Sequence, residues 1–485
     1  MRPVTLGEIR KFSGGAWIGA GADSPEIKIT EIATDTRTAR GGELFVAIAG
    51  ERFDGHKFLD AAAGAGCAAA LVSRKARLPE GTAGRFAGGL IVVDDTVAAL
   101  GRLAAWHRRS GRTKVIAVTG SNGKTTVKGM IHHILSRWLH GSCGAKSFNN
   151  AIGLPLTLLG AGEGDAYVVC EIGTNAPGEV AELAKIARPD VAVITSVGPT
   201  HLERLGSVAK VAREKASLLK YLAKDGLAVV TADSPELDKV LRRSKVHHVR
   251  FGLADGAEFR LTGYVALEGG SSASLTTSGS TSLTAGLQRF EVNGRLWVQL
   301  PMLGRHNAVN ALAAMAVANR FGVAPAEAGE ALADFAGAPM RMERMELGGV
   351  TVINDAYNAN PDSVVVAADV LAEQPGGRKV MVVGDMRELG EHADALHGTV
   401  GGKIAARGVD LLVCVGELGR YIALGAAGAG LEAVVFDTVD EAGRPEGLPS
   451  VLRAGDVVLI KGSRAMGMER LIGPIRAAFG RPGQG

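Results

Sequence analysis

The stretch VIAVTGSNGKTTVKGM, residues 115–130, decides the fold. An unbroken apolar run leads into a short glycine loop and then into a helix-forming segment, which predicts a buried strand, a loop and a helix. Glycines in such a loop let backbone N–H groups close on phosphate oxygens, and the start of the helix adds a positive dipole end. A lysine neutralises phosphate charge, and a threonine hydroxyl can hold Mg²⁺. The candidate nucleotide-binding residues are Gly120, Asn122, Gly123, Lys124, Thr125 and Thr126.

The spacing of this loop is shorter than in the common phosphate-binding motif. Its pattern is GxxGKTT, because the position five residues before Gly123 is Val118 instead of a glycine. A glycine turn capped by a threonine is the alternative to a nucleotide site. The joint occurrence of strand, loop, Lys-Thr pair and helix favours the phosphate-binding loop.

Outward from this loop, strand-like and helix-like segments alternate, which indicates parallel sheets covered by helices. A basic segment, HRRSGRTK, precedes the loop's strand, and the segment FAGAPMRME marks a second boundary. We therefore predict an α/β protein of three domains. These are an N-terminal domain (1–110), a central P-loop parallel-sheet domain (111–338) that ends in antiparallel strands, and a C-terminal Rossmann-like α/β domain (339–485). The Ser/Thr-rich segment 270–285 is predicted to be a loop and has no assigned function.

The composition excludes several classes of protein. A net charge of +4, from 54 Lys and Arg against 50 Asp and Glu, gives no basic field for nucleic-acid binding. A hydrophobic content of 46% with 21% charged residues is typical of a globular protein. We find no apolar run long enough for a membrane span, no signal-peptide pattern at the start and no CxxC pair among the 4 cysteines. The sequence predicts a cytoplasmic protein without membrane insertion.

Polar residues follow two later strands of the central domain. Glu171 ends the strand in CEIGTN, and His201 follows the strand in ITSVGPTHLERLG. Ligands in open α/β sheets gather outside the carboxyl ends of the strands, so both side chains are candidates for the nucleotide site, and Glu171 suits a hard metal ion. Solvated loop residues are the alternative for both. Lys215 lies in a predicted helix, VAREKASLLKYL, where the composition favours a solvated basic residue.

An ordered set of motifs resembles the Mur ligase family over nearly the whole chain. Within the family the resemblance is to the member that adds D-alanyl-D-alanine to UDP-N-acetylmuramoyl-tripeptide, mainly because of the segment INDAYNANPDS. The motifs are, in order, TDTRTARGGELFVAIAGERFDGHKF (34–58), GSNGKTT (120–126), SFNNAIGLPLTLL (147–159), CEIGTNAPGEV (170–180), THLERLGS (200–207), REKA (213–216), LGRHNAVNALAA (303–314), MRME (340–343), INDAYNANPDS (353–363), VVGDMRELG (382–390) and IKGSR (460–464).

The resemblance implies an ATP site with two Mg²⁺ ions. It implies that Thr125 and Glu171 hold one Mg²⁺, that His201 belongs to the second metal site, and that Lys215 carries a carbamate derived from CO₂. Catalytic roles are implied for Lys124, Lys215 and His201. Asn307, Arg341 and Asp355 fall where relatives contact adenine, phosphate and ribose. From its position before a predicted helix, Asn307 is alternatively an N-cap.

The resemblance also implies where the other substrates bind. Asp35, Thr36 and Arg37 match the segment that receives the uridine nucleotide, with a capped turn as the alternative, and Asn149 and Asn150 match an interdomain substrate contact. In the third domain the residues implied to position peptide groups are Asn358, Asn360, Lys461, Ser463 and Arg464. A cation there suits a dipeptide carboxylate. Asp385 and Glu388 are candidates for the incoming amine or for capping a loop.

The implied activity is ATP-dependent amide ligation for peptidoglycan synthesis, with ADP and phosphate as products. The implied substrates are UDP-MurNAc-tripeptide and D-Ala-D-Ala, which an acyl phosphate intermediate connects, and the expected oligomeric state is a monomer. Hinges near residues 110 and 339 are expected to close the domains around the substrates. Alternatives are a sister Mur ligase or a folylpolyglutamate synthetase-like ligase with another amino-acid substrate, and a P-loop regulatory module that binds nucleotide without forming an amide.

Overall fold

The structure is a computed structural model that describes residues 1–19, 24–145, 147–266 and 288–480. The segment 270–285, for which the sequence indicates a loop, lies outside these residues. Strands and helices alternate along the chain, and the strands group into sheets that follow one another in sequence. The α/β fold class with three domains is confirmed.

The N-terminal domain contains a mostly parallel sheet with the strand order β2-β7-β6-β5-β4, beside the antiparallel pair β1 and β3. Its helix α3 begins at an Asp95 N-cap, whose carboxylate accepts hydrogen bonds from two backbone N–H groups. The elements are β1 (Val4–Thr5), α1 (Leu6–Ser13), β2 (Ala16–Ile18), β3 (Lys28–Ile29), β4 (Ile32–Ala33), β5 (Leu44–Val46), α2 (Leu59–Gly64), β6 (Ala69–Ser73), β7 (Leu90–Val93) and α3 (Thr96–Ser110).

The central domain is built on a sheet with the order β16-β15-β14-β13-β12-β11-β8-β10-β9, in which β8 to β14 pair in parallel and β14 to β16 pair antiparallel. The elements are β8 (Lys114–Thr119), α4 (Lys124–Leu135), β9 (Gly141–Cys143), α5 (Gly153–Gly160), β10 (Tyr167–Glu171), α6 (Glu179–Ala187), β11 (Val191–Ile194), α7 (Leu202–Leu205), α8 (Val208–Ala216), β12 (Leu227–Thr231), α9 (Pro235–Leu241), β13 (His248–Gly252), β14 (Phe259–Ala266), β15 (Gln288–Val292), β16 (Leu296–Leu300), α10 (Arg305–Arg320) and α11 (Pro325–Leu332).

The C-terminal domain has a sheet of order β17-β18-β22-β19-β20-β21, parallel except for the pair β17 and β18. Its elements are β17 (Glu343–Leu347), β18 (Val350–Asp355), α12 (Pro361–Ala372), β19 (Lys379–Gly384), α13 (Ala393–Ala405), β20 (Leu411–Val415), α14 (Gly419–Ala427), β21 (Ala433–Phe436), α15 (Val439–Ala442), α16 (Leu448–Val451), β22 (Val457–Lys461) and α17 (Ile472–Phe479). Short 3₁₀ turns cover 55–58, 82–85, 217–221, 390–392, 464–466 and 468–471.

The apolar core differs at the two domain boundaries. One cluster of buried side chains runs without a break from the N-terminal domain into the central one, because Leu103 of α3 belongs to the same cluster as Leu158 of α5 and Leu183 of α6. The C-terminal sheet has separate clusters on its two faces. Continuous packing of this kind opposes the hinge predicted near residue 110, because relative motion there would expose apolar surface to water. At the boundary near residue 339 the apolar contacts are smaller: Leu303 of the central domain joins a C-terminal cluster, and Leu396 of α13 packs against Leu202 and Leu205.

Among the described residues, no helix combines the length and the apolar character that a membrane crossing requires.

Candidate active site

A cavity of about 960 Å³ opens beside the P-loop, where the central and C-terminal domains face each other, and it reaches Val97 of the N-terminal domain. It brings together most of the site residues that the sequence indicates. These are Asn122, Gly123, Lys124, Thr125, Thr126, Asn149, Asn150, Glu171, His201, Asn307, Arg341, Asp355, Asn358, Asn360, Lys461, Ser463 and Arg464. Gly120, Lys215, Asp35, Thr36 and Arg37 do not line it.

The loop after β8 has the conformation of a phosphate cradle. Gly123 has a φ of 82°, and a Cβ at this position would lie 2.4 Å from Asn310 Oδ1, so only glycine fits. The next residue begins α4, which directs the helix N-terminus toward the cavity. Lys124 Nζ donates to Gly120 O over 2.7 Å. Burial, opposed by the nearby Glu171 and assisted by Arg341, lowers the pKa of Lys124 to about 8.

Arg341 reaches from the start of the C-terminal domain to this loop. Its Nη2 donates to Thr125 Oγ1 over 3.0 Å, and its guanidinium lies 4.0 Å from the centre of the Tyr357 ring. Tyr357 OH donates to Ser147 Oγ over 2.6 Å, and the Ser147 and Thr125 hydroxyls are 3.4 Å apart. The guanidinium is therefore held by an aromatic face as well as by the P-loop threonine.

Two further polar contacts join the same domains. Asn360 Nδ2 donates to Asn122 Oδ1 over 2.6 Å, which ties the N-cap of α12 to the P-loop. His201 Nδ1 lies 2.5 Å from Glu388 Oε2. The hydrogen bond from His201 is the largest of the effects that lower the pKa of Glu388. Both Glu388 and His201 have positive φ angles, 65° and 53°, which are uncommon for residues with a side chain.

Glu171 is a buried carboxylate at the carboxyl end of β10, with 1% of its surface exposed. Lys128 Nζ lies 3.0 Å from Glu171 Oε1 and donates to Gly144 O over 2.7 Å. Glu171 Oε2 is buried without a hydrogen-bond partner among the described residues. A buried carboxylate oxygen in this state has the chemistry of a ligand for a hard cation.

Lys215 is buried in α8, with 1% of its surface exposed. The prediction from composition, a solvated lysine, is therefore wrong. The adjacent Glu214 carboxylate does not neutralise it fully, because it accepts hydrogen bonds from the N–H groups of Gly178 and Val180. Burial, and then the nearby Lys124, shift the pKa of Lys215 well below its usual range.

Asn307 is not the N-cap of its helix. Helix α10 begins at Arg305 with Gly304 as the N-cap residue, so Asn307 lies inside the first turn. Its Nδ2 donates to Leu303 O over 2.7 Å, and its Oδ1 accepts from Asn310 Nδ2 over 3.1 Å. The pair of asparagines forms part of the cavity wall beside the P-loop.

The C-terminal wall of the cavity is held by charge pairs. Lys461 Nζ lies 2.5 Å from Asp355 Oδ2 and donates to Asn358 O over 2.9 Å. Arg464 Nη1 donates to Glu469 Oε1 over 3.0 Å. Ser463 Oγ accepts from Arg387 N over 2.8 Å, so these positions are fixed before any ligand arrives.

Asp385 caps a loop and does not face the cavity. It is fully buried, and its Oδ1 accepts from Leu418 N over 3.0 Å. Burial raises its pKa, against the effect of the nearby Arg387. Of the two acidic candidates in GDMRELG, Glu388 lines the cavity.

The remaining predicted substrate residues lie in two places. Asn150 Oδ1 accepts from Ile152 N and Gly153 N at the start of α5, and Asn149 O accepts from Gly173 N over 2.8 Å. Asp35 and Arg37 form an exposed ion pair of 2.6 Å away from the cavity, and the hydrogen bonds from Arg37 lower the pKa of Asp35 to about 2. Together with Thr36, which lies between them, they are part of the surface of the N-terminal domain. This is the position expected for the capped turn that was the alternative to a substrate contact.

Several residues of the site were missed by sequence reasoning. They are Lys128, Ser147, His306, Tyr357 and Arg387, all of which line the cavity or contact its lining. Lys128 carried a usable signal, because it follows Lys124 by four residues and therefore lies on the same face of the helix. Ser147 and Tyr357 lie within the family motifs at 147–159 and 353–363, but their contact joins segments distant in sequence and neither motif indicates it.

The residues present fit a nucleotide with Mg²⁺. No group of three or more His, Cys, Asp or Glu side chains that would hold a metal alone is found in the described part of the chain. Mg²⁺ on a nucleotide takes one or two protein oxygens and completes its shell with phosphates and water. Thr125 Oγ1 and Glu171 Oε2 provide such oxygens in the cavity.

Comparisons with known proteins agree along the chain. Three family models match in order: Mur ligase family, catalytic domain, at residues 28–108; Mur ligase middle domain, at residues 118–318; and Mur ligase, glutamate ligase domain, at residues 340–464. The UDP-N-acetylmuramoyl-tripeptide--D-alanyl-D-alanine ligase of Bacillus subtilis is 35% identical over 448 residues, which cover 91% of this chain and 92% of that protein. The Escherichia coli enzyme of the same name is 35% identical over 97% of this chain and 98% of its own.

Solved structures show the same likeness in three dimensions. The crystal structure of MurF from Acinetobacter baumannii superimposes with a TM-score of 0.85 at 31% identity, covering 98% of this chain and 99% of that one. MurF ligase from Thermotoga maritima, solved in complex with ADP, gives a TM-score of 0.78 at 27% identity, covering 93% of this chain and 97% of that one.

Proposed function

The chain belongs to the Mur ligase family, and from this premise we propose that it joins UDP-N-acetylmuramoyl-tripeptide to D-alanyl-D-alanine with ATP. The observation that carries the proposal is the single cavity in which a P-loop lysine, a buried carboxylate and the DAYNAN loop of the C-terminal domain meet. The product is the pentapeptide precursor of peptidoglycan. Relatives with this printed name support the assignment over almost the full length.

The reaction needs activation, because a carboxylate is a poor electrophile. The terminal carboxylate oxygen of the tripeptide attacks the γ-phosphorus of ATP, the bond to the β-phosphate oxygen breaks, and ADP leaves. The neutral amine of the dipeptide then attacks the carbonyl carbon of the acyl phosphate. Phosphate leaves with the bonding electrons, and the nitrogen gives up a proton to form the amide. Neither step requires a Ser, Cys or His nucleophile from the protein.

The ATP site is built around the P-loop. We assign Gly120, Asn122, Gly123, Lys124, Thr125 and Thr126 to the phosphates, and Arg341 to the γ-phosphate as charge moves toward the leaving oxygen. Asn307 is assigned to adenine and Asp355 to ribose. The support for these roles is that all of them except Gly120 line one cavity, and Gly120 O accepts the Lys124 hydrogen bond.

The cations complete the charge balance of the site. Thr125 and Glu171 would hold one Mg²⁺, and His201 with a carbamate on Lys215 would serve a second one. Bound Mg²⁺ offsets the negative charge that crowds between two phosphates and an attacking carboxylate. Because burial in α8 favours an uncharged side chain at Lys215, its amine is suited to add to the carbon of CO₂ and release a proton.

The three domains divide the substrates. We assign the uridine nucleotide to residues 1–110, with Asp35, Thr36 and Arg37, and ATP to residues 111–338. We assign the dipeptide to residues 339–485, where the contacting residues are Asn358, Asn360, Lys461, Ser463 and Arg464. Asn149 and Asn150 contact the UDP substrate between domains. The boundaries are supported by the end of α3 at Ser110 and by the step from α11 to β17. Closure would move mainly the C-terminal domain, because the first two domains share a core.

We assign the activity to a cytoplasmic monomer. ATP and a nucleotide-linked precursor are substrates of the cytoplasm, and Cys67, Cys143, Cys170 and Cys414 are free thiols, as in a reducing compartment. One chain provides residues from all its domains to the cavity, so a second copy is not needed to complete it. The small net charge supports a site for small molecules without nucleic acid.

The test is coupled product formation. The enzyme is given ATP, Mg²⁺ and UDP-MurNAc-tripeptide with either D-Ala-D-Ala or single amino acids, and shorter precursors are offered in parallel. We expect phosphate release with the mass gain of one dipeptide only when D-Ala-D-Ala and the tripeptide are both present. Coupling of a single amino acid would make the chain a sister ligase, and ATP hydrolysis without any amide would contradict ligation altogether.

A further inference from the structure

The inference concerns Lys128, a buried lysine that the proposed chemistry does not use. Lys128 is 4% exposed and lies in α4, four residues after Lys124. Residues at this spacing lie on the same helical face, and their side chains lean toward the helix N-terminus, which here is the P-loop. The spacing therefore places both lysines on the helix face that lies near Glu171.

The two lysines take different partners. Lys128 Nζ lies 3.0 Å from Glu171 Oε1 and donates to Gly144 O over 2.7 Å. Lys124 Nζ donates to Gly120 O over 2.7 Å and forms no ion pair with Glu171 within the described residues. Pairing with Lys128 thus leaves the P-loop lysine available for phosphate, because the carboxylate already has a cation.

The same contact divides the two oxygens of Glu171. Both oxygens are buried, but Oε1 lies 3.0 Å from the Lys128 ammonium, whereas Oε2 has neither an ion pair nor a hydrogen bond among the described residues. Groups that bind a metal-ligating side chain from behind fix its orientation, and their removal weakens metal binding. The hydrogen bond to the Gly144 carbonyl gives the ammonium a second anchor besides Glu171 Oε1.

We propose that Lys128 is a positioning residue for the divalent cation: it holds Glu171 Oε1, leaves Oε2 for the metal, and keeps the carboxylate away from Lys124. This inference rests on the proposed function, because it presumes that a metal–nucleotide complex binds beside the P-loop. A purely structural buried ion pair would stabilise the fold without any specific effect on the metal.

The experiment compares ADP affinity with and without Mg²⁺ by calorimetry, using the full-length protein. The ratio of the two dissociation constants is the Mg²⁺ increment. In Lys128→Met we expect the increment to fall by about 10- to 100-fold, while ADP affinity without metal stays within about twofold. The matched control is Lys239→Met, at an exposed helix lysine paired with Glu236, and it keeps the wild-type increment.

Each other outcome decides against the inference. Equal loss of ADP affinity with and without Mg²⁺ means general damage to the loop, and an unchanged increment means that Lys128 does not act on the metal. If Lys128→Met does not fold by circular dichroism, Lys128→Gln, whose amide still donates to the Gly144 carbonyl, carries the same expectation. A wild-type protein without any Mg²⁺ increment would instead overturn the proposed nucleotide site, so the two failures are distinguishable.

Discussion

Arg341 donates a hydrogen bond from Nη2 to Thr125 Oγ1 over 3.0 Å, so a guanidinium from the C-terminal domain rests on the phosphate-binding loop of the central domain. The Tyr357 ring supports it from one face. With the proposed assignment of Arg341, this cation would meet the γ-phosphate only when the two domains are together. The contact would then link domain arrangement to phosphoryl transfer.

Arg341→Ala should lower kcat for amide formation by about 100- to 1,000-fold, the usual cost of losing one aimed donor at a developing charge. Arg341→Lys should recover little, because an ammonium lacks the planar fork that stacks on Tyr357. Steady-state kinetics with saturating substrates measure the effect. Arg289→Ala, at an exposed arginine on β15, is the control and should match wild type. A kcat within threefold of wild type for Arg341→Ala would remove this arginine from the reaction.

Lys215→Arg should lower kcat by roughly 10- to 100-fold, because arginine keeps a positive charge but cannot form the carbamate that would serve a metal. Carbon-13 NMR after equilibration with labelled bicarbonate should show a carbamate signal in the wild type that is absent from the variant. Activity should also fall when CO₂ is removed and return when bicarbonate is added. Lys239→Arg, on an exposed helix surface, is the control. A wild type that is fully active without CO₂ would contradict the carbamate.

Protonation of His107 should lower the free energy of unfolding in mild acid. This side chain is 8% exposed at the junction of the first two domains, and burial, followed by Arg2 and the N-terminal amine, lowers its pKa from 6.5 to about 4. The pKa of His107 is lower in the folded state than in the unfolded state. Its contribution to the free energy of unfolding is therefore complete above pH 6.5 and is lost as the pH falls toward 4. Between about pH 7.5 and about pH 5 the loss is about 2 kcal/mol.

Urea unfolding followed by tryptophan fluorescence measures this loss, since Trp106 is the neighbouring residue and stacks on Phe12. His107→Leu should flatten the pH dependence by that amount. His247→Leu, at an exposed histidine, is the control and should keep the wild-type slope. Equal slopes in wild type and His107→Leu would show that another group governs acid stability.

The local parts of the fold could be predicted from sequence, and the reason is physical. In residues 115–130 the apolar run, the glycines and the following helix formers all act within one turn of each other, so β8, the loop and α4 are encoded locally. Strand β9 (Gly141–Cys143) was not predicted, because its glycine-containing triplet is a strand only through pairing with β10. Strand β21 (Ala433–Phe436) likewise depends on pairing with β20.

Site residues that lie in sequence motifs could be predicted. Those whose role depends on burial or on the arrangement of the domains could not. Lys124, Thr125 and Glu171 follow from the loop and a strand end, and the structure gathers them in one cavity. Nothing in the composition of α8 distinguishes a buried Lys215 from a solvated one. The contact between His201 and Glu388 depends on how two domains face each other, which local patterns do not encode.

Glu388→Ala should favour a more open arrangement of the C-terminal domain. The contact with His201 joins the central and C-terminal domains beside the apolar contact of Leu396 with Leu202 and Leu205, and a partly exposed pair of this kind is worth up to about 1 kcal/mol. We expect a larger radius of gyration by small-angle X-ray scattering and a roughly two- to fivefold lower kcat/KM. Glu391→Ala, at a neighbouring exposed glutamate, is the control. An unchanged radius with reduced kcat/KM would assign Glu388 to the substrate instead of the domain contact.

Asn360 combines two roles that substitutions can separate. Its Oδ1 accepts from Ser363 N as the N-cap of α12, and its Nδ2 donates to Asn122 Oδ1 of the P-loop. Asn360→Ser keeps a capping side chain but is too short to reach the P-loop, whereas Asn360→Ala loses both contacts. We expect both variants to raise the KM for ATP by about two- to tenfold, the effect of one hydrogen bond. Only Asn360→Ala should also lose about 1 kcal/mol of stability.

The comparison needs ATP and dipeptide titrations together with thermal unfolding of each variant. Asn319→Ser, at an exposed asparagine near the end of α10, is the control and should leave all three measurements unchanged. The assignment of Asn360 to the dipeptide, which the proposed function takes from the family resemblance, makes a different prediction. In that case both variants would raise the KM for D-Ala-D-Ala while the KM for ATP stays constant. The KM that moves therefore decides whether this asparagine serves the nucleotide loop or the acceptor, and a rise in both would mean that its two N–H groups serve one each.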